Sequence, residues 1–268
     1  MSNTSKKSSN KDVLLIGNGI SRLSYDKQIR EFQGERWGAN RIYLNYGDIV
    51  DIIGGHSDVL TDAKKYRERN GLSYKIIRGP DEKEKGRVAD CYFTCPVRFL
   101  LDTGTSLLAE ALERDYSVSV VGYDIGGPEI YSRNHQNVNK SSWVRRWREI
   151  IKYYGHRKIR FIGYNHMPFL LSNKPAHEYS QSYMFGSNHI AGEEYEKAVE
   201  EWKNSGDPIT YLRAAKLWNR GNCVFYDIAQ TGKDLYPDMY IEVSEGTAII
   251  WAERYPKILY AELPQEED

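Results

Sequence analysis

Gly17-Asn18-Gly19-Ile20-Ser21 directly follows the apolar run Asp12-Val13-Leu14-Leu15-Ile16. Glycines in that place let backbone N–H groups approach an anion, and the start of a following helix presents partial positive charge, so the turn is a candidate phosphate site. It is not the dinucleotide fingerprint, because Arg22 stands where a third glycine belongs and no Walker lysine follows. The plainer reading is a glycine-rich tight turn. Asn40 closes the stretch from Gly34 and offers both a donor and an acceptor, which suits a base or a sugar; an ordinary turn asparagine is the alternative. Asp102-Thr103-Gly104-Thr105-Ser106 precedes a helical pattern, and Gly122-Tyr123-Asp124-Ile125-Gly126-Gly127 follows a strand-like one. Both fall where a parallel sheet collects ligands, at strand ends and helix starts. An aspartate at such a place can orient a ribose or an acceptor hydroxyl, hold a metal, or simply cap its turn.

Six histidines are available as acid or base. His135, in the loop from Ser132 to Asn139 just after the Asp124 segment, is the first candidate and His189 the second. His177 and His189 lie in the C-terminal part, His56 and His166 near strand ends, and His156 on an expected surface. Lys140 to Arg160 holds eight Lys or Arg against one Glu, interleaved with Trp143, Trp147, Tyr153 and Tyr154. Basic residues among rings suit a nucleic-acid backbone with unstacked bases, which makes Arg145, Arg146 and Arg148 candidate phosphate contacts. The competing reading is a helix with one charged face whose tryptophans pack on the sheet.

The order of these segments resembles the bacterial sialyltransferase group that uses CMP-activated sugars, together with related phage-encoded glycosyltransferases. The resemblance rests on N-G-I-S at Asn18 to Ser21, Asn40, T-G-T-S at Thr103 to Ser106 and G-Y-D at Gly122 to Asp124, and spans roughly residues 12 to 170. It implies that Asn18, Ser21, Asn40, Thr105 and Ser106 contact the donor nucleotide. It also implies that Tyr131 steadies the departing phosphate, that a histidine serves as general base, and that no metal or other cofactor is needed. Two positions depart from the group's pattern: Ile20 stands for a proline, and Gly126 for a tyrosine two residues after the aspartate. The group's basic amphipathic C-terminus is also missing, since Leu263 to Asp268 is acidic.

The expected activity is therefore transfer of a sugar from a nucleotide donor, preferably CMP-linked, to a hydroxyl of a saccharide or of a hydroxymethylated base in phage DNA. Gly17, Gly19 and Gly122 complete the expected nucleotide site, and His135, Asp124, Tyr131 and His189 the catalytic set. The alternatives are a nucleotide-binding or sensing protein without transfer, and an NAD-consuming hydrolase, for which no suitable later Asn and His pair is apparent.

To position such residues the chain must alternate strands and helices. Strands are expected at 12–16, 41–46, 49–53, 74–77, 91–94, 117–121 and 158–162, and helices up to Phe32, from Thr103 to Arg114 and from Ser142 to Tyr154. This predicts an α/β fold with a mainly parallel, Rossmann-like sheet and helices on both faces. Beyond residue 172 the pattern changes, with helices expected at Glu193–Lys203 and Pro208–Asn219 and a hairpin pairing Met239–Val243 with Thr247–Trp251. The expected domains are a tail over 1–11, a nucleotide-sugar-binding α/β domain over 12–172, a lid or acceptor subdomain over 173–262 and an acidic tail over 263–268. Lys plus Arg and Asp plus Glu both total 37, so global charge argues for neither nucleic acid nor membrane. Apolar runs are strand-length, the first residues lack a secretory signal, and three cysteines leave no even disulfide framework. A soluble protein with reduced thiols is expected, cytoplasmic, or in the host cytoplasm if phage-encoded. The 21 tyrosines and 6 tryptophans supply rings with polar handles, suited to sugars, bases or wet interfaces.

Overall fold

The computed structural model describes residues 11–79, 88–131, 140–180, 182–185, 188–205, 212–228 and 233–265. The expected helix start at Pro208, the loop carrying His135, most of the N-terminal tail and half of the acidic tail lie outside the described residues.

β1 (Asp12–Ile16) is buried on both sides, which is why its apolar residues run without alternation. Val13 and Leu15 enter one core cluster, Leu14 and Ile16 the other. The chain then forms α1 (Asp26–Glu31), β2 (Glu35–Ala39), α2 (Tyr43–Tyr46), β3 (Ile52–Gly54), α3 (Ser57–Arg69), β4 (Lys75–Arg78) and β5 (Cys91–Tyr92). It continues through α4 (Thr103–Glu113), β6 (Ser117–Val121), α5 (Lys140–Tyr154) and β7 (Ile159–Phe161). These seven strands form one sheet, ordered β5-β4-β3-β2-β1-β6-β7, in which every pairing is parallel. The chain walks outward from β1 to β5 and then returns to place β6 on the other edge of β1. That reversal opens a crevice beyond the carboxyl ends of the two strands. The α/β, Rossmann-like class expected from alternation is what the chain adopts.

α5 buries Val144, Trp147, Ile150 and Ile151 at helical spacing, with Arg145 and Lys152 exposed on the opposite side. Cys95 is buried in the core, where desolvation pushes its thiol up to about 12. No helix among the described residues is long and apolar enough to cross a membrane.

Beyond β7 come α6 (Met167–Leu170), α7 (Ser182–Phe185), α8 (His189–Asn204), β8 (Ala214–Asn219), β9 (Tyr240–Ser244), α9 (Glu245–Arg254) and β10 (Leu259–Glu262). The last three strands form a separate antiparallel sheet, ordered β10-β8-β9, with α9 packed on one face.

Three expected elements are corrected. Residues 41–46 are helical, not a strand: Asn40 at φ 55° ends β2 one residue earlier, and Ile42, Tyr43 and Tyr46 bury one helical side. Residues 214–219 are a strand with alternating burial, not the end of a helix, because Ala215 and Leu217 fill the core beneath α9. Residues 247–251 belong to a helix and not to a hairpin, because the Ser244 side chain accepts a hydrogen bond from the Thr247 amide and caps it. α8 also begins four residues earlier than expected, at a cap in which Asn188 accepts from the Ala191 amide.

α9 joins the small sheet to α3. Gly246 at its start permits the approach, since a Cβ there would lie 2.4 Å from the Asp58 carbonyl oxygen. Beside it, the buried Glu245 carboxylate accepts from Lys65 Nζ at 2.7 Å and from Arg69. Burial alone would raise the Glu245 pKa, but the Arg69 and Lys65 hydrogen bonds outweigh it and hold the group low. A depressed carboxylate stabilises the fold above its unfolded pKa, and that contribution is lost as pH falls. Glu245→Ala is expected to lower stability by about 2 kcal/mol in urea titrations at neutral pH, with hydrogen-exchange protection lost first over 240–262.

Candidate active site at the ends of the parallel strands

A cleft of about 1720 Å³ opens over the carboxyl ends of β1, β2, β3, β4 and β6 and the start of α4. It is roofed by Arg213, Glu242, Ser244, Ile250, Trp251 and Arg254 of the C-terminal part. Single-ligand pockets run to roughly 300–1,000 Å³, so this one has room for two reactants.

Its floor is the junction of the turns after β1 and β6. The Gly17 amide donates to the Val121 carbonyl and the Gly19 amide to the Gly122 carbonyl, both at 2.8 Å. A Cβ on Gly17 would sit 2.2 Å from the Gly122 oxygen, one on Gly19 2.4 Å from Asp124 Cγ, and Gly122 itself has φ +69°. The three glycines are therefore required by contact between the turns. The Ser21 amide and hydroxyl both donate to the Asp124 carboxylate, the amide at 2.8 Å. Two of the amides expected to meet a phosphate are thus used by the β6 turn, and a third meets the protein's own anion, Asp124.

Asn18 is different. It lines the cleft at 7% exposure, and its side-chain oxygen has no hydrogen-bond partner. A buried acceptor left unpaired is costly, and a ligand donor is the natural complement. Asn40 lines the same cleft, its side-chain oxygen accepting from Thr103 Oγ1 at 3.1 Å. Thr105 and Ser106 line it too, but Thr105 Oγ1 donates to the Asp102 carboxylate at 2.6 Å and Ser106 Oγ to the Asp102 carbonyl at 2.6 Å. Both hydroxyls serve the cap of α4.

Tyr131 faces the cleft with its hydroxyl accepting from Arg22 Nη2 at 2.6 Å and donating to Asn45 Oδ1. Burial raises the phenol to about 12 against the opposing pull of Arg22. Arg22 is 1% exposed, with Tyr46 and Tyr131 rings 5.1 and 5.3 Å from its guanidinium. The residue in the place of a third glycine is thus the support of Tyr131. Asn45 and Arg22 escape a sequence reading because both act through contacts distant along the chain.

Asp124 also lines the cleft, 5% exposed. Burial raises its pKa to about 6, against the lowering effect of its Ser21 hydrogen bonds and of Arg22. A carboxylate poised so near neutrality is suited to proton transfer.

The other expected residues fall outside this constellation. Ser21 is buried beneath the floor, and His189 is exposed at the start of α8 and does not line the cleft. His135 lies outside the described residues. His166 is 2% exposed, shares a 2.8 Å hydrogen bond with Tyr179 and is pushed down to about 4 by burial, a core histidine. Among the described residues His56, at the start of α3, is the histidine that lines the cleft. Arg146 Nη1 donates to Asp102 at 2.7 Å, and Arg148 donates to the carbonyls of Phe169, Leu170 and Lys174. Of the three arginines expected to meet DNA, Arg145 alone is exposed on α5, while Trp147 is buried in the core. Among the described residues no three His, Cys, Asp or Glu side chains gather as metal ligands.

A carboxyl with a raised folded pKa stabilises the protein below its unfolded value, and that contribution is lost as pH rises through the folded value. The stability of the wild type minus that of Asp124→Asn should therefore fall as pH is raised from the ordinary aspartate value of 3.8 to about 6. Urea midpoints across that range check it, and a flat difference would show an unperturbed Asp124. Comparison with family models, with curated proteins and with solved structures finds no match to this chain.

Proposed function

We propose that this chain is a nucleotide-sugar-dependent glycosyltransferase whose donor lies along the floor of the cleft, over the β1 and β6 turns. The observation that carries the reading is the juxtaposition of Asn18, an unpaired buried acceptor, with Asp124, a buried carboxylate raised to about 6, in adjoining turns at the sheet's reversal point. Asn18 accepts from a base or sugar N–H or O–H. Asp124 takes the proton of the acceptor hydroxyl as the new glycosidic bond forms, and the departing nucleotide phosphate leaves with the electrons of the bond that breaks. The resemblance assigns that phosphate to Tyr131, whose hydroxyl is held by Arg22 and Asn45 and would turn from Asn45 to donate to it. The CMP preference and independence of a metal come from the resemblance to CMP-sugar enzymes; a cytoplasmic setting rests on the three free cysteines, which accord with a reducing compartment.

One observation favours a nucleotide-binding protein without transfer: both Asp124 oxygens already accept from Ser21, as in a structural carboxylate. Calorimetry with CMP, UMP and UDP tests the shared site. CMP is expected to bind, with Asn18→Ala weakening it about tenfold, the size of one lost hydrogen bond. No binding of any of the three nucleotides at millimolar concentration overturns both readings. Donor turnover with and without acceptors then separates them: Asp124→Asn should cost ~10²- to 10⁴-fold in rate with CMP affinity largely kept. A comparable loss confined to His135→Ala would hand the base to that histidine instead.

A further inference from the structure

The small antiparallel sheet has one face beneath α9 and one facing outward, and the outward face is not an ordinary solvated surface. Strand residues two apart share a face. On β8 the outward set is Ala214, Lys216 and Trp218 and on β9 Tyr240, Glu242 and Ser244, alternating with buried residues along each strand, and on β10 it is the exposed Tyr260 and Glu262. The register places Trp218 opposite both Tyr240 and Tyr260, so three aromatic side chains form one row across three strands. The next row is Glu242, Lys216 and Glu262. The row after that is Ala214 and Ser244, which with Glu242 line the cleft.

The rings reach solvent, and mobile cationic side chains lie over two of them, Lys216 Nζ 5.3 Å from the Tyr240 centroid and Arg220 over Tyr260. Tyr240 is 43% exposed and Tyr260 45%. The Trp218 and Tyr240 ring centroids are 4.6 Å apart, and Arg220 lies 4.1 Å from the Tyr260 centroid. Trp218 Nε1 and Lys216 Nζ both donate to Glu262, at 2.8 Å each, which fixes the indole in place. Lys216 and Arg220 are matched in charge by Glu242 and Glu262, so the platform has no net charge. A phosphate chain laid on the rings would meet two carboxylates. An uncharged polyhydroxyl chain would instead stack its C–H faces on the rings and pair its hydroxyls with the row of carboxylates and amine.

The geometry points to this face as a binding platform for a neutral oligosaccharide, which leads the acceptor chain into the cleft. From the aromatic row the cleft lining begins two residues along β9 at Glu242, roughly 7 Å away, and continues at Ala214 and Ser244, roughly 14 Å away. That the chain is an acceptor rests on the glycosyl-transfer reading above; that it binds does not.

The test uses the full chain with no nucleotide or donor present, so it stands whether or not the cleft transfers a sugar. Native gels carrying hydroxyethyl cellulose, galactomannan, amylopectin or mixed-linkage β-glucan are run beside a gel shift with poly(dT). Retardation is expected in at least one polysaccharide, weakened about tenfold by Trp218→Ala and by Tyr260→Ala, each one lost ring contact. Tyr226→Ala, an exposed ring off this face, should migrate as the wild type does. Because Trp218 lies on the central strand, Tyr240→Ala and Tyr260→Ala on the edge strands decide the matter if Trp218→Ala does not fold. No retardation in any polysaccharide, retardation undiminished in the folded variants, or binding to poly(dT) alone would each overturn the platform.

Discussion

The placement of the candidate site depends on the meeting of the β1 and β6 turns through the Ser21–Asp124 hydrogen bonds. The start of the chain's first helical segment is a place that favours negative charge, and here the protein supplies that charge itself. Asp124 is desolvated by the approach, and Ser21 returns only part of what water provided, so the carboxyl stays poised near neutrality. The contact demands glycine on both turns, since any Cβ at 17 or 19 would overlap the β6 turn and one at 122 would meet the Gly17 carbonyl oxygen. Floor shape and the raised pKa follow from one close approach.

That floor becomes a cleft only because the C-terminal part is held above it. α9 anchors the small sheet through Glu245 and Gly246 against α3, whose own start lines the cleft. The same attachment sets the outward face of β8, β9 and β10 continuous with the roof. The placement of the roof is thus a consequence of one helix contact, whereas the aromatic row follows from strand register.

The tyrosine-rich composition is largely structural. Tyr164 meets Tyr25, Phe185 and Tyr195 edge-on or tilted at 4.9 to 6.1 Å, and Phe169 meets Tyr179 and Tyr183 at 5.3 and 4.6 Å. These rings pack segments that have few aliphatic residues, and their hydroxyls reach partners from inside, as Tyr179 does with His166. A histidine that looks available in sequence is consumed by that packing. The basic stretch of α5 is consumed likewise: Arg148 binds three carbonyls and Arg146 the cap of α4.

The parallel α/β sheet was legible in the sequence, because the apolar runs at 12–16 and 117–121 and the helical spacing of α4 and α5 are local signals that burial on both faces of a sheet requires. So was the gathering of Asn18, Asn40, Thr103 to Ser106 and Asp124 at one sheet edge, since right-handed crossovers return every strand in the same direction. Three things were decided only by the tertiary structure. Residues 41–46 and 247–251 carry patterns that suit helix or strand, and packing against α3 and the small sheet chose between them. The glycines of the first turn serve a neighbouring strand end, and the hydroxyls of Ser21, Thr105 and Ser106 are held by carboxylates and carbonyls. Ser21 and Asp124 are 103 residues apart, and no local pattern can report whether a polar group has met its partner across such a distance. Composition and spacing determine which groups arrive at the sheet edge, whereas the three-dimensional hydrogen-bond balance determines which of them remain open to a ligand.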